Sequence, residues 1–232
     1  MFDNVRRIFF DSGMVLCYPK SGEWFYPLKY KEYCKEKRLP EKSFRQNINY
    51  QKACYHLGNI KTIKSEDEEY EVFREFYKIL FHTIKGKDNR ELIELCANAC
   101  VFDYEKYEFY DDVKESIKRL KYKYDLGIIS DAWPSLFNVY RHNDMYKHFE
   151  PFIISSMYGC TKQEYDLFRF GLANVAEHPE DILFVDDSYE NCMRAAKLGM
   201  NVIVLNRNKY YRSRKNILHV SNMEELEKVV GI

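Results

Sequence analysis

The sequence contains no run of apolar residues approaching the roughly 18 that a membrane helix needs, so no helical span is expected. Its first residues, Met1-Phe2-Asp3-Asn4-Val5-Arg6-Arg7, lack the apolar stretch of a secretory leader. There is no excess of either charge: 36 basic residues balance 36 acidic ones, leaving nothing over to neutralise a nucleic-acid backbone. Neither nucleic acid nor a membrane is therefore an expected partner. No Gly-rich phosphate loop of the Walker or dinucleotide type is present. The 7 cysteines include no CxxC pair, and Cys96 and Cys100, one helical turn apart, have no histidine near them in sequence. That pattern excludes a zinc site and describes reduced structural thiols, which places the protein in the cytoplasm. The 6 histidines are scattered, and no two share a helix face at metal-ligand spacing.

What is abundant is aromatic: 20 Tyr and 16 Phe. Many tyrosines stand beside Lys or Glu, as in Tyr104-Glu105-Lys106-Tyr107, which reads as a half-wet surface. The basic, aromatic run Arg207 to Lys215 reads as a solvated loop.

Three blocks are visible along the chain. Val5 to Phe10 is a first strand. Residues 17–109 carry helical periodicity, clearest in Tyr70-Glu71-Val72-Phe73-Arg74-Glu75-Phe76-Tyr77-Lys78-Ile79-Leu80, and predict four or five helices and no sheet. Ser65 followed by Glu66, Asp67 and Glu68 marks a helix start, with negative charge at the positive end of the dipole. From Asp111 onward helix and strand alternate. Apolar strands are predicted at Asp125–Ile129, Phe152–Ser155, Ile182–Val185 and Val202–Leu205, with helices between them. Short, wholly apolar strands separated by helices imply a parallel sheet buried on both faces, with right-handed crossovers. The expected architecture is α/β: a Rossmann-like core of residues 1–16 and 110–232, interrupted by an all-helical insert, 17–109, positioned to act as a cap.

Chemistry-bearing residues collect at the predicted strand ends. Ile8-Phe9-Phe10 runs into Asp11, Ile128-Ile129 into Ser130, and Ile182-Leu183-Phe184-Val185 into Asp186-Asp187, while Lys162 follows a strand by a short loop. Parallel strands deliver their carboxyl ends to one edge, so these residues can meet. Together they match the needs of phosphoryl transfer: a carboxylate to attack phosphorus, a hydroxyl and an ammonium to hold its oxygens, and further carboxylates to hold a magnesium ion. Trp24, Phe25 and Tyr26 stand where they would line a substrate entrance or pack cap on core, and Lys20 and Arg45 are candidates for meeting substrate charge.

These segments resemble, in order, the four motifs of the haloacid dehalogenase-like hydrolase superfamily, in the branch whose cap follows the first strand. The first is Phe9-Phe10-Asp11-Ser12-Gly13-Met14-Val15-Leu16 and the second Ile128-Ile129-Ser130-Asp131. The third is Gly159-Cys160-Thr161-Lys162, with Gln163 where a proline is usual. The fourth is Phe184-Val185-Asp186-Asp187-Ser188-Tyr189-Glu190-Asn191. The resemblance covers the whole α/β block; the insert is matched by position and helical character.

The resemblance implies a set of roles. Asp11 is the nucleophile that forms an aspartyl-phosphate. Ser130, Asp131 and Lys162 bind and polarise the phosphoryl group. Mg2+ is held by Asp11, the Gly13 carbonyl oxygen, Asp187 and, assisting, Asp186. Asn191, with Ser188, supports the site, Asn191 through Lys162 or Ser188. The implied activity is that of a magnesium-dependent phosphatase acting on a small phosphorylated metabolite.

One position departs from the pattern. Phosphatases of the family carry a second aspartate two residues after the nucleophile, as general acid and base, and here that position is Gly13. Three readings follow: a phosphatase favouring good leaving groups, a 2-haloacid dehalogenase, or a non-catalytic relative that binds a ligand or partner. The acidic pair Asp186-Asp187, and Asp131 where dehalogenases tend to have Asn, count against the second.

Overall fold

The structure, a computed structural model, describes residues 2–59, 62–82, 89–208 and 217–232. In chain order the elements are β1 (Arg7–Phe10), β2 (Cys17–Pro19), α1 (Leu28–Glu36), α2 (Tyr50–Gly58), α3 (Glu66–Phe81), α4 (Arg90–Phe102) and β3 (Tyr107–Phe109). There follow α5 (Val113–Leu120), β4 (Asp125–Ser130), α6 (Ser135–His142), β5 (Phe152–Ile154), α7 (Ser155–Tyr158) and α8 (Asp166–Ala173). The chain closes with β6 (Ile182–Asp186), α9 (Tyr189–Lys197), β7 (Asn201–Leu205), β8 (Leu218–Val220) and α10 (Met223–Val230).

Six strands form one sheet in the order β5-β4-β1-β6-β7-β8, every pair parallel. The helices between strands follow from that pairing, because a parallel neighbour needs a crossover. Burial on both faces explains the composition: Ile8, Phe9 and Phe10 of β1 and all five residues of β6 are buried. β1 is central, with Phe10 level with Ile128 on one side and Val185 on the other. Phe9, Ile129, Phe168 and Phe184 share a packed cluster, and the rings of Phe168 and Phe184 meet edge-on at 5.0 Å. Gly127 makes the pairing of β4 with β1 possible. A Cβ there would fall 2.5 Å from the Phe9 ring and 2.9 Å from the Pro151 carbonyl oxygen. At the end of α9, Gly199 takes the left-handed conformation, φ 91°, that stops a helix.

The chain divides into two compact units. One, the α/β unit, comprises Met1–Tyr18, Phe109–Ala132 and Asn143–Ile232; the other, the helical unit, comprises Pro19–Glu108 and Trp133–His142. Three findings differ from the sequence expectations. The stretch 17–109 is not free of sheet: β2 and β3 form a separate two-stranded sheet. β8 joins the edge of the main sheet, where the sequence shows too short an apolar run to announce a strand. And α6 belongs to the helical unit, not to the α/β block in which it lies in sequence.

The helical unit is where much of the aromatic content goes. Tyr26, Tyr30, Phe44, Phe73, Phe76, Tyr77 and Phe81 are buried in one cluster, so these tyrosines are core residues rather than a half-wet surface. Trp24 packs on Tyr107, and Phe25 on Phe73 and Phe76. The Tyr77 hydroxyl donates to the Phe25 carbonyl at 2.7 Å, which satisfies the polar tip of a buried ring. Ser65 caps α3 as the sequence suggests, its hydroxyl accepting from the Glu68 amide at 3.2 Å.

Within the same unit Glu69 is buried at 1% exposure. It accepts from the Ser135 amide at 2.7 Å and the Ser135 hydroxyl at 2.6 Å, capping α6 across 66 residues of sequence. Lys106 donates to the same hydroxyl at 2.7 Å. Loss of hydration raises the Glu69 carboxyl above its ordinary range, and Lys106 and Ser135 oppose that shift.

Candidate active site

β1, β4 and β6 end side by side, and their terminal residues meet. Asp11 follows β1, and its amide donates to the Val185 carbonyl of β6 at 2.9 Å. From the end of β4 the Ser130 hydroxyl donates to Asp11 Oδ1 at 2.7 Å. Lys162, on a single 3-10 turn Lys162–Glu164, sends its ammonium to the same oxygen at 2.9 Å and to Asp186 Oδ2 at 2.7 Å. Both contacts to Asp11 fall on Oδ1, so Oδ2 accepts from no donor among the described residues. All four side chains are buried: Asp11 at 7%, Ser130 at 3%, Lys162 at 2% and Asp186 at 0% exposure.

The turn carrying Lys162 is itself locked. Glu164 reaches back to the Thr161 amide at 3.0 Å in a capping box, and the Lys162 amide donates to Asp131 Oδ1 at 3.0 Å. Lys162 thus holds Asp131 by its backbone and Asp11 and Asp186 by its side chain. After Asp11 the chain turns tightly: the Leu16 and Cys17 amides both donate to the Ser12 carbonyl, and Gly13 bridges to Cys17. Arg207 braces this turn, donating to the Val15 carbonyl at 3.0 Å and lying 3.9 Å from the centre of the Tyr110 ring. Arg207 and Asn208 are described; the rest of the basic run lies outside the described residues.

Charge is concentrated, and the negative sign predominates. Carboxylate oxygens of Asp11, Asp186 and Asp187 lie within 4.8 Å of one another. Burial pushes Asp186 up to about 6, with Asp11 reinforcing and Lys162 opposing. Burial and then the charges of Asp11 and Asp186 push Asp187 up to about 7. Burial alone would lower the Lys162 ammonium; Asp11, Asp186 and Asp131 outweigh it and hold the group well above its ordinary value. Four carboxylates, counting Asp131, surround one ammonium. Such a set discourages full ionisation until a cation joins it.

The four acidic residues differ in how far they are already engaged. Asp186 accepts from Lys162, from the Ser188 amide at 2.7 Å and from the Asn191 side-chain amide at 3.2 and 3.3 Å. Asp187 has no side-chain partner among the described residues. Oxygen donors alone, one carboxylate unengaged, and excess negative charge fit a hard divalent cation.

Contacts join Asp11, Ser130, Asp131, Lys162, Asp186, Ser188 and Asn191, and Asp187 shares the acidic cluster; Gly13, on the turn after Asp11, lies in the same unit. Asn191 is a correction in detail. Its side chain supports Asp186, not Lys162 or Ser188; Ser188 instead caps α9, accepting from the Asn191 amide at 3.3 Å. Lys20 and Arg45 belong to the helical unit, where Lys20 stands 4.0 Å from Glu105 and Arg45 is exposed on the turn Phe44–Gln46.

A parallel sheet with an acidic cluster at adjoining strand ends defines a Rossmann-like α/β enzyme. A family model described as a haloacid dehalogenase-like hydrolase matches residues 17–199, and the chain belongs to that family of hydrolases. No curated protein matches the sequence. Among solved structures, the magnesium-bound HAD-hydrolase YfnB from Bacillus subtilis superposes with a TM-score of 0.71 at 16% identity, over 98% of this chain and 99% of that one. A HAD phosphatase from Thermococcus onnurineus gives 0.64 at 17% identity, over 98% of each chain. The L-2-haloacid dehalogenase of Xanthobacter autotrophicus, with chloropropionic acid covalently bound, gives 0.67 at 14%, over 97% of this chain and 98% of that one. At these identities the likeness is one of fold.

Proposed function

We propose that this hydrolase is a magnesium-dependent phosphatase acting on a small phosphorylated metabolite through an aspartyl-phosphate, with a preference for good leaving groups. The observation that carries the reading is the convergence of an acidic triad with Ser130 and Lys162 on Asp11. A dehalogenase has no use for such an excess of negative charge, because halide leaves with its own charge and needs no cation beside it.

In this reading Asp11 Oδ2 attacks phosphorus while Oδ1 stays with Ser130 and Lys162. The new Asp11–phosphorus bond forms as the ester oxygen leaves. The Ser130 hydroxyl and the Lys162 ammonium, already in place beside Asp11, meet the phosphoryl oxygens as that bond forms, where preorganised donors lower the barrier most. Asp11, Asp187, the Gly13 carbonyl and, less directly, Asp186 would hold Mg2+. When bound, the ion supplies neutralisation of the phosphoryl charge. Asp186 with Asn191 keeps Lys162 aimed at Asp11. Water attacking the aspartyl-phosphate releases inorganic phosphate and restores Asp11.

Gly13 carries no proton, and loss of a general acid commonly lowers rates by roughly a hundred- to ten-thousand-fold on esters that need one. Hence the preference for acyl, aryl or anomeric phosphates. The helical unit serves as the cap that selects among them. The seven cysteines, all unpaired, suit a cytoplasmic setting.

The test is hydrolysis of aryl and alkyl phosphates with and without magnesium, with Asp11→Asn as control. The expected result is magnesium-dependent turnover, faster for aryl esters, that the variant lacks. Turnover that survives in Asp11→Asn, or equal rates on both ester classes, would count against the reading. Chloride release from a 2-haloacid without metal would replace it.

A further inference from the structure

We infer that Asp131 is the proton donor and acceptor of this active site, taking over the task that Gly13 cannot perform. The inference rests on the phosphatase reading and deepens it.

Elimination narrows the choice within the site. Asp186 is fully buried, and both its oxygens already accept from Lys162, Ser188 or Asn191. Asp187 faces the cation site. Lys162 must stay charged to hold Asp11 and Asp186. Ser130 gives its only proton to Asp11. Cys17 is buried, its thiol pushed up to about 12 chiefly by loss of hydration, and it is paired with Ser12.

Asp131 alone has both a proton site to spare and the freedom to use it. It is exposed, and it directly follows the residue that hydrogen-bonds the nucleophile. Only Oδ1 is engaged, by the Lys162 amide at 3.0 Å; Oδ2 meets no donor among the described residues.

Its position is also firmly held. Ser130 is locked in β4. On the other side the Ala132 amide donates to the Ser155 hydroxyl at 3.0 Å, and the Ser156 amide donates to the Ala132 carbonyl at 3.3 Å. Lys162 touches both residues, its amide bonded to Asp131 and its ammonium to Asp11, so Asp131 borders the group that holds the nucleophile. Protein crowds one side of Asp131 and solvent the other. That partial loss of hydration raises its carboxyl above the ordinary range, with Lys162 opposing and Asp11 adding to it.

The step balances. As Asp11 bonds to phosphorus and the ester bond breaks, protonated Asp131 gives its proton to the departing oxygen, which leaves as an alcohol. The Asp131 carboxylate then takes a proton from the water that attacks the aspartyl-phosphate. Phosphate leaves, and Asp131 is protonated for the next turnover. Because the donor sits beside Ser130 rather than two residues after Asp11, it serves poor leaving groups less well than the usual arrangement, consistent with the preference proposed above.

The experiment compares wild type, Asp131→Asn and the double variant Gly13→Asp/Asp131→Asn on a series of aryl phosphates of graded phenol acidity, extended to alkyl phosphates. For Asp131→Asn the expected result is a loss of ~100-fold on the poorest leaving groups, less than tenfold on the best, and a steeper dependence of rate on leaving-group acidity. Gly13→Asp, placed outside the left-handed region, should restore the poor substrates in the double variant. The magnesium-induced rise in melting temperature should be the same in wild type and Asp131→Asn, which shows that fold and cation site survive. An unchanged slope, or an equal loss on every ester, overturns the inference while leaving the phosphatase reading in place. No turnover of any ester by the wild type overturns both.

Discussion

Replacing Asp187 by Asn should stabilise the protein without metal and remove its response to magnesium. The carboxyl is displaced from 3.8 to about 7, first by loss of hydration and then by Asp11 and Asp186. At ~1.4 kcal/mol per unit, a shift of that size bounds the effect at ~4 kcal/mol. Asp187 is half-open to water and shares its repulsion with two neighbours, so ~2 kcal/mol is the working magnitude. The sign follows from proton binding. The folded, metal-free protein holds the Asp187 proton more tightly than the unfolded chain does. Its stability therefore falls as pH rises from about 4 to about 7. Below that window both states are protonated and the substitution is neutral; above it Asn removes the whole penalty. A chain of this size shifts by roughly 2–4 °C per kcal/mol. In a chelating buffer at pH 8 the variant should melt about 4–8 °C above wild type, and at pH 4 the two should coincide. Millimolar magnesium should raise the wild-type melting temperature and leave the variant unmoved. Scanning calorimetry across this pH range, with chelator and with magnesium, measures both effects. A variant that melts lower at pH 8 in chelator, or that responds to magnesium as wild type does, refutes the reasoning.

Two further substitutions probe the frame around the site. Glu69→Ala strips the Ser135 amide and hydroxyl of their shared acceptor in a buried setting and should cost about 1–3 kcal/mol in urea denaturation, with Glu69→Gln retaining part of it. Gly127→Ala drives a methyl group into the Phe9 ring and the Pro151 carbonyl, and a loss of ~1–3 kcal/mol is expected by the same assay; a neutral result would show that β1 and β4 can separate.

The strand ends were legible because each stands where an unbroken apolar run stops at a single polar residue. Ile8-Phe9-Phe10 before Asp11 and Ile182-Leu183-Phe184-Val185 before Asp186 admit few other folds. Contacts that depend on side-chain direction were not legible. Asn191 points back toward the start of α9, as helix side chains do, and so reaches Asp186 at the strand end rather than Lys162. The allegiance of α6 was hidden for a similar reason. Leu136, Val139 and Tyr140 declare a buried face but not its partner, which is decided by Glu69 far away in sequence. β2, β3 and β8, at three residues each, are too short for alternation to show. Tyrosines flanked by charge looked wet because local neighbours say nothing about a cluster assembled from α1, α3 and the turn Phe44–Gln46.

The level alignment of β1 with β4 and β6 has a consequence for how this protein can change. The distance between the nucleophile and its partners is set across the sheet, by Phe10 facing Ile128 and Val185, and not along the chain. The stretch between β1 and β4 can be lengthened, shortened or exchanged while Asp11 keeps its spacing from Ser130. Deleting one residue inside β1 is another matter: it would turn Asp11 toward the opposite face of the sheet and take from Ser130 and Lys162 the oxygen they share.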